Sequence, residues 1–191
     1  MDSRIPTIET PRLRLRGHRQ DDLAAYSALW ADPIVVLHTV GVPQTPEECW
    51  GRFLRAHGHW AVVGFGYWVV RESEETLGFC GVKFMRLPDR PVLNLFYRFA
   101  PQAWGRGFAS EAATAVVRWV STNAPDHPII ARVRPDNVAS QRVAVNAGLA
   151  RAPHLDTEGD DGLDWIYAAT SSVVGHGLDQ LAERVEGLDR P

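Results

Sequence analysis

Cysteine is scarce in this chain: two among 191 residues, Cys49 and Cys80. They lie far apart in apolar surroundings, which excludes a disulfide framework and reads as buried free thiols in a reducing compartment. A basic excess is also missing. Twenty Lys and Arg against 23 Asp and Glu leave a net charge of −3, so nothing points to a nucleic-acid partner. No apolar run approaches the length of a membrane span, and Met1-Asp2-Ser3-Arg4 does not open a signal peptide. The expectation is a cytoplasmic protein with no nucleic-acid and no membrane partner. Repeats and low-complexity tracts are absent too. His57-Gly58-His59 offers two imidazoles without a third or fourth ligand, so no metal is expected.

What is present suits one soluble α+β domain. Hydrophobic residues make up 45% and charged residues 23%, enough for a real core at this length. Arg12 to Arg16 alternates polar and apolar, a strand whose arginine face reads as solvated. Gln20-Asp21-Asp22 opens a helix carrying Leu23, Tyr26, Leu29 and Trp30, which Asp32-Pro33 interrupts before a loop. Thr45-Pro46-Glu47-Glu48 starts the next helix, with Thr45 as cap, Pro46 in the first turn and Glu48 closing a capping box. Residues 67–70 and 77–85 read as an antiparallel hairpin, and residues 92–99 as its neighbour. Helices over residues 110–120 and 137–147 flank a strand at 129–133, and Gly148 ends the second helix. Strands at 149–152 and 163–168 follow, separated by an acidic loop. The resulting sheet is single, mixed and mostly antiparallel, flanked by helices, with a parallel right-handed unit around residues 101–112. Residues 9–170 make the domain. Residues 171–191 make a C-terminal helical tail whose stripe of Leu178, Leu181, Val185 and Leu188 docks on the domain or forms a homodimer contact.

The organising stretch runs from Pro101 to Ala112. It joins an apolar strand to a helix through two glycines, Gly105 and Gly107. The first amides of a helix have no partner inside it, and the helix dipole puts partial positive charge there. Glycines let successive N–H groups curl around a phosphate or pyrophosphate. A tight connection without any ligand would look the same on the glycines alone. A dinucleotide fingerprint also begins Gly-x-Gly, but here its third glycine is Ser110, and the stretch sits deep in the chain after an antiparallel hairpin.

Two motifs in order tip the balance. Gln102-x-x-Gly105-x-Gly107 resembles the acyl-CoA signature of the GNAT N-acetyltransferases. Residues 134–142, from Arg134-Pro135-Asp136-Asn137 through Ser140, followed by Gly148-Leu149, resemble the second helix of the RimJ/RimL branch, which acetylates ribosomal-protein N-termini. Thr10-Pro11-Arg12-Leu13-Arg14-Leu15-Arg16 resembles that branch's first strand. The likeness spans residues 9–167 and implies a GNAT fold using acetyl-CoA as acyl donor. It assigns the amides of Trp104, Gly105, Arg106, Gly107, Phe108 and Ala109 to the pyrophosphate, with Gln102 shaping the turn and the Arg106 side chain adding charge. It assigns the strand end Tyr97, Arg98, Phe99 to main-chain pairing with pantetheine, and Asn137 to a pantetheine amide, beside its reading as a helix cap.

The implied reaction needs a neutral amine, a polarised thioester and a proton for the departing thiolate. Ser140, one turn after Asn137, is the candidate proton donor, since the tyrosine many GNAT enzymes place on this helix is Ala144 here. The acid many members carry before the strand's tyrosine is Asn94, and the glycine is Phe96. No general base is therefore evident; Glu48, His154 and Asp156 are weak candidates that suit solvated surface equally well. The expected function is N-acyl transfer from acyl-CoA to a primary amine of a small molecule or a protein N-terminus. The alternative is an acyl-CoA-binding protein of the same fold with weakened catalysis. Acidic residues at 156–161 could attract a cationic amine or simply be solvated.

Overall fold

The computed structural model describes residues 5–39, 41–87, 90–159 and 162–169. The tail expected at residues 171–191 lies outside them. Strands β1 (Ile8–Glu9), β2 (Arg14–Arg16), β3 (Tyr67–Glu72), β4 (Glu75–Leu87), β5 (Arg90–Phe99), β6 (Ile129–Val133), β7 (Leu149–Arg151), β8 (Thr157–Gly159) and β9 (Gly162–Ala169) form one continuous sheet path, β1-β2-β3-β4-β5-β6-β9-β7, with β8 beside β9. The β5–β6 pair is parallel and the others antiparallel. This is the expected α+β architecture. Two short strands were not legible: β1, too brief for any alternation, and β8, which turns part of the expected acidic loop into a hairpin with β9.

Helices α1 (Leu23–Ala31), α2 (Pro33–Val36), α3 (Pro46–Val63), α4 (Phe108–Asn123) and α5 (Val138–Asn146) cover the sheet. Their ends follow the local chemistry. The Thr45 hydroxyl accepts from the Glu48 amide at 3.3 Å while Glu48 accepts from the Thr45 amide at 2.7 Å. That box occupies Glu48 and removes it as a base. Asp32 caps α2 by accepting from the Ile34 amide at 2.8 Å, so the expected loop begins as a short helix.

Strand alternation splits the core in two. On one face Trp68, Cys80, Val82, Leu93, Leu95 and Phe99 pack with Phe108, Ala112, Val116 and Ala144 of α4 and α5. On the other, Val69 and Phe79 pack with Tyr26, Leu29 and Trp30 of α1 and with Cys49 and Phe53 of α3. Arg16 departs from its expected solvated position. It is 9% exposed and grips Asp22 with both terminal nitrogens at 2.7 Å. Asp22 also accepts from the Arg19 amide at 2.6 Å, so the acidic start of the first helix is used as a buried clamp.

Candidate active site

The turn at residues 104–107 is held from outside by a short network. Glu111, in the first turn of α4, accepts from the Thr10 hydroxyl at 2.6 Å, the Arg12 amide at 3.0 Å and Arg12 Nε at 2.7 Å. Burial pushes the Glu111 pKa up, but these bonds outweigh it and the carboxyl sits below its usual range. Arg12 Nη1 donates to the Arg106 carbonyl at 2.9 Å. Arg12 therefore positions the turn, a role hidden in a short alternating strand. Phe108, 1% exposed, anchors the helix start, with the guanidinium carbons of Arg12 and Arg106 over its ring at 4.6 and 4.4 Å.

Gly107 caps α4 at φ +78°, and Gly105 sits at φ +73°. Both are left-handed, where a side chain is strained. Among the described residues, the amides of Gly105, Arg106, Gly107, Phe108, Ala109 and Ser110 find no protein acceptor. The Trp104 amide differs from expectation: it donates to the Pro101 carbonyl at 3.0 Å, so the open nest starts one residue later. Trp104 contributes its indole, which donates to the Phe99 carbonyl at 2.8 Å. The Arg106 side chain pairs with Glu72 at 3.0 Å. Gln102 lies in the helical turn Pro101–Ala103 that leads into it.

Next to the nest, β5 and β6 part. They pair only at Leu93–Ile129 and Asn94–Ile130, whereas β6 continues with β9 to Val133. The Leu93 amide donates toward β6, to the Pro128 carbonyl, while the Ala100 amide donates toward β4, to Leu77. Alternation from these two points turns the main-chain groups of Leu95, Tyr97 and Phe99 into the gap and those of Phe96 and Arg98 toward β4. The Arg98 amide is thus not part of the edge that Tyr97 and Phe99 share, a correction that follows from strand parity. At the fork, Asn94 Oδ1 accepts from the Arg132 amide at 3.2 Å, satisfying a donor that loses its strand partner there. The residue that replaces the expected acid thus caps the fork.

Across the gap stands α5. Asn137 Oδ1 accepts from the Ser140 amide at 3.0 Å, so the cap is made and the Asn137 Nδ2 remains as a donor. Ser140 Oγ lies 2.8 Å from the Tyr97 hydroxyl, which also reaches the Ser140 carbonyl at 2.8 Å. Burial pushes the Tyr97 pKa well above its ordinary value, so it stays protonated. The side chain of Tyr97 was not expected here; only its backbone was. Strand alternation, which places it on the α5 face, is the signal that could have shown it.

A second pair was also missed. His38 Nδ1 lies 3.4 Å from Asp136 Oδ1, beside the α5 cap. The neighbouring Thr39 accepts from Arg98 Nη2 at 2.6 Å. The turn after α2 therefore touches both lips of the gap. No sequence spacing links residues 38 and 136. Of the other expected bases, Asp156 is clamped by Arg151 Nη1 at 2.7 Å and accepts from the Ile166 amide at 3.0 Å. These contacts hold its pKa below the carboxylate range. His59 is used inside the fold, bonding the Phe65 carbonyl at 2.5 Å and the Phe84 amide at 3.2 Å.

The described geometry has counterparts. The sequence profile of the acetyltransferase (GNAT) domain matches residues 12–150. Protein YkkB of Bacillus subtilis (strain 168) is 30% identical over 148 residues, 74% of this chain and 84% of its own. The crystal structure of an acetyltransferase from Agrobacterium tumefaciens str. C58 superposes with a TM-score of 0.74 at 30% identity, covering 87% of this chain and 95% of that one. RimL, the ribosomal L7/L12 α-N-protein acetyltransferase, solved in complex with coenzyme A, superposes with a TM-score of 0.72 over 85% of this chain and 97% of its own. At 15% identity the RimL likeness is one of fold.

Proposed function

The chain belongs to the GNAT acetyltransferase family, whose members transfer acyl groups from acyl-CoA, and we propose that it N-acylates a primary amine, on a small molecule or a protein N-terminus, with acetyl-CoA as donor. One observation carries this reading: a nest of unpartnered amides at residues 105–110 adjoins the edge of β5 at Leu95, Tyr97 and Phe99, which no strand pairs and where the Trp104 indole holds the Phe99 carbonyl. The nest fits a diphosphate and the edge fits an extended chain with peptide groups, as pantetheine is. The Asn137 Nδ2 supplies a further donor to that chain.

The protein's own groups then divide the chemistry. An amide of the β5 edge polarises the thioester carbonyl. The amine nitrogen attacks the carbonyl carbon, the C–S bond breaks, and the sulfur takes a proton from the Ser140–Tyr97 hydroxyl pair, which regains it from solvent. His38, oriented by Asp136, accepts the proton the amine gives up; an imidazole can do so near neutral pH. Orientation of amine and thioester contributes most, on the order of 7–11 kcal/mol in favourable cases. The experiment is calorimetric titration with CoA plus a thiol-release assay over an amine panel. Binding that Gly107→Trp abolishes, together with thiol release, is expected. Absent binding, or binding indifferent to that substitution, refutes the reading, and binding without release from any amine favours the weakened acyl-CoA-binding protein.

A further inference from the structure

We propose that Arg98 anchors an anionic group of the acyl acceptor, so that the acceptor is a small amine carrying a carboxylate close to its nitrogen, as an amino acid does. The inference rests on the acyltransferase reading and names its substrate class. Arg98 is 5% exposed, yet no carboxylate pairs with it among the described residues. Its Nη2 serves Thr39, and its guanidinium carbon lies 3.5 Å from the centre of the Trp30 ring. Its Nη1 is buried with no acceptor. Burial depresses its pKa to about 10, and Arg52, over the same Trp30 ring at 4.4 Å, adds like charge. The other buried arginine, Arg16, has the bidentate carboxylate that Arg98 lacks.

A cation taken out of water without a counter-charge is costly. Fixing the turn after α2 explains Nη2 and leaves Nη1 unexplained. A carboxylate satisfies it, since the guanidinium fork matches two carboxylate oxygens. Position supports the match. Tyr97 and Arg98 are adjacent on β5 and point to opposite faces. The Tyr97 face meets α5 and the hydroxyl pair that serves the leaving sulfur. With the hydroxyl pair on the Tyr97 face, the opposite face is left for the amine; there Arg98 contacts Phe96, Trp30 and Thr39, the neighbour of His38. An anion held by Arg98 then brings a nearby amine to the edge. Polycationic acceptors meet like charge there and are rejected.

The test uses the wild-type protein with acetyl-CoA and matched acceptors: α-amino acids, their methyl esters, the corresponding decarboxylated amines, tripeptides with free N-termini, and spermidine. Free acids are expected to exceed esters and decarboxylated amines by roughly ten- to a hundredfold in kcat/KM, the range of one charge-assisted hydrogen-bonded pair. Arg98→Gln should erase that preference through KM and leave CoA affinity intact; if that variant does not fold, the wild-type panel still decides. Esters acylated as well as acids, or tripeptides and spermidine preferred, overturn the proposal. Should no amine be acylated, the enzymatic reading fails. Calorimetry of amino acids on CoA-loaded protein then decides this proposal separately: binding of acids but not esters supports it, and no binding overturns it.

Discussion

Single side chains in this protein carry two tasks at once, and the tasks can be separated by substitution. Ser140 and Tyr97 share one hydrogen bond at 2.8 Å, so in the proposed reaction either hydroxyl can serve the leaving sulfur while the other supports it. Groups acting as a unit are not additive. Ser140→Ala and Tyr97→Phe should each lower kcat by roughly tenfold to a hundredfold, and the double variant should lose little more. His38→Gln should lower the rate about a hundredfold near neutral pH and recover as pH rises, because the acceptor amine then deprotonates without help. Profiles of kcat and kcat/KM against pH for wild type and the four variants check both; a multiplicative double variant, or a pH-independent His38 defect, contradicts the assignment. The nearness of Ser140 to Asn137 follows from their spacing in one helix. The contacts of Tyr97 and His38 do not, because they join residues 43 apart and bridge the α2–α5 gap.

At the scale of elements, the ends of helices do the work. The start of α4 leaves its amides open, with Gly107 in a left-handed cap that contributes no side chain. The start of α5 is instead closed by Asn137. One residue thus faces two demands under the proposed function: its side-chain oxygen caps the helix, and its NH2 is left to donate to the acyl donor. Asn137→Ala should cost about 1 kcal/mol of stability as a lost cap, along with CoA affinity. Asn137→Asp should keep the cap and weaken CoA binding, because a carboxylate cannot donate. Thermal unfolding and calorimetry on the two variants check this; equal CoA affinity in Asn137→Asp and wild type would remove Asn137 from the donor site. Strands divide the labour similarly. Alternation along β5 sends Tyr97 to one face and Arg98 to the other, and its edge groups to the gap, but only the partner strands reveal which edge is open.

The whole molecule carries an acid-sensitive point away from the site. His18 is 6% exposed, stacks on Phe79 at 5.8 Å, and finds no partner for either ring nitrogen. Burial lowers its pKa from 6.5 to about 4. Between these values the unfolded chain binds the extra proton, so stability is intact above about pH 6.5 and falls as pH drops toward 4. The loss should approach roughly 2–3 kcal/mol. The Arg16–Asp22 clamp acts in the same direction: burial raises the Asp22 pKa, the bonds from Arg16 and Arg19 more than reverse it, and the stability it brings is lost at still lower pH. Denaturant melts of wild type and His18→Phe between pH 4 and 7 check this. The variant should be flatter across that window, and an unchanged slope would show that His18 is not the proton sink.

The amino-acid sequence alone was enough for the fold class, the order of the longer strands and helices, the glycine turn and the caps at Thr45 and Asn137, but not for β1, α2 or β8. Each of these follows from residues close together in the chain: period-two alternation, a helix start, a left-handed position only glycine occupies comfortably. Tertiary structure alone decided where β5 and β6 part, that Trp104 spends its amide inside the turn, that Arg12 and Glu111 brace the nest, and that His38 meets Asp136. It also decided that Arg98 is buried without a counter-charge, since a strand pattern shows which residues share a face and says nothing of what waits opposite. Those facts come from pairings of residues far apart in the chain, whose energies depend on how helices and sheet pack together.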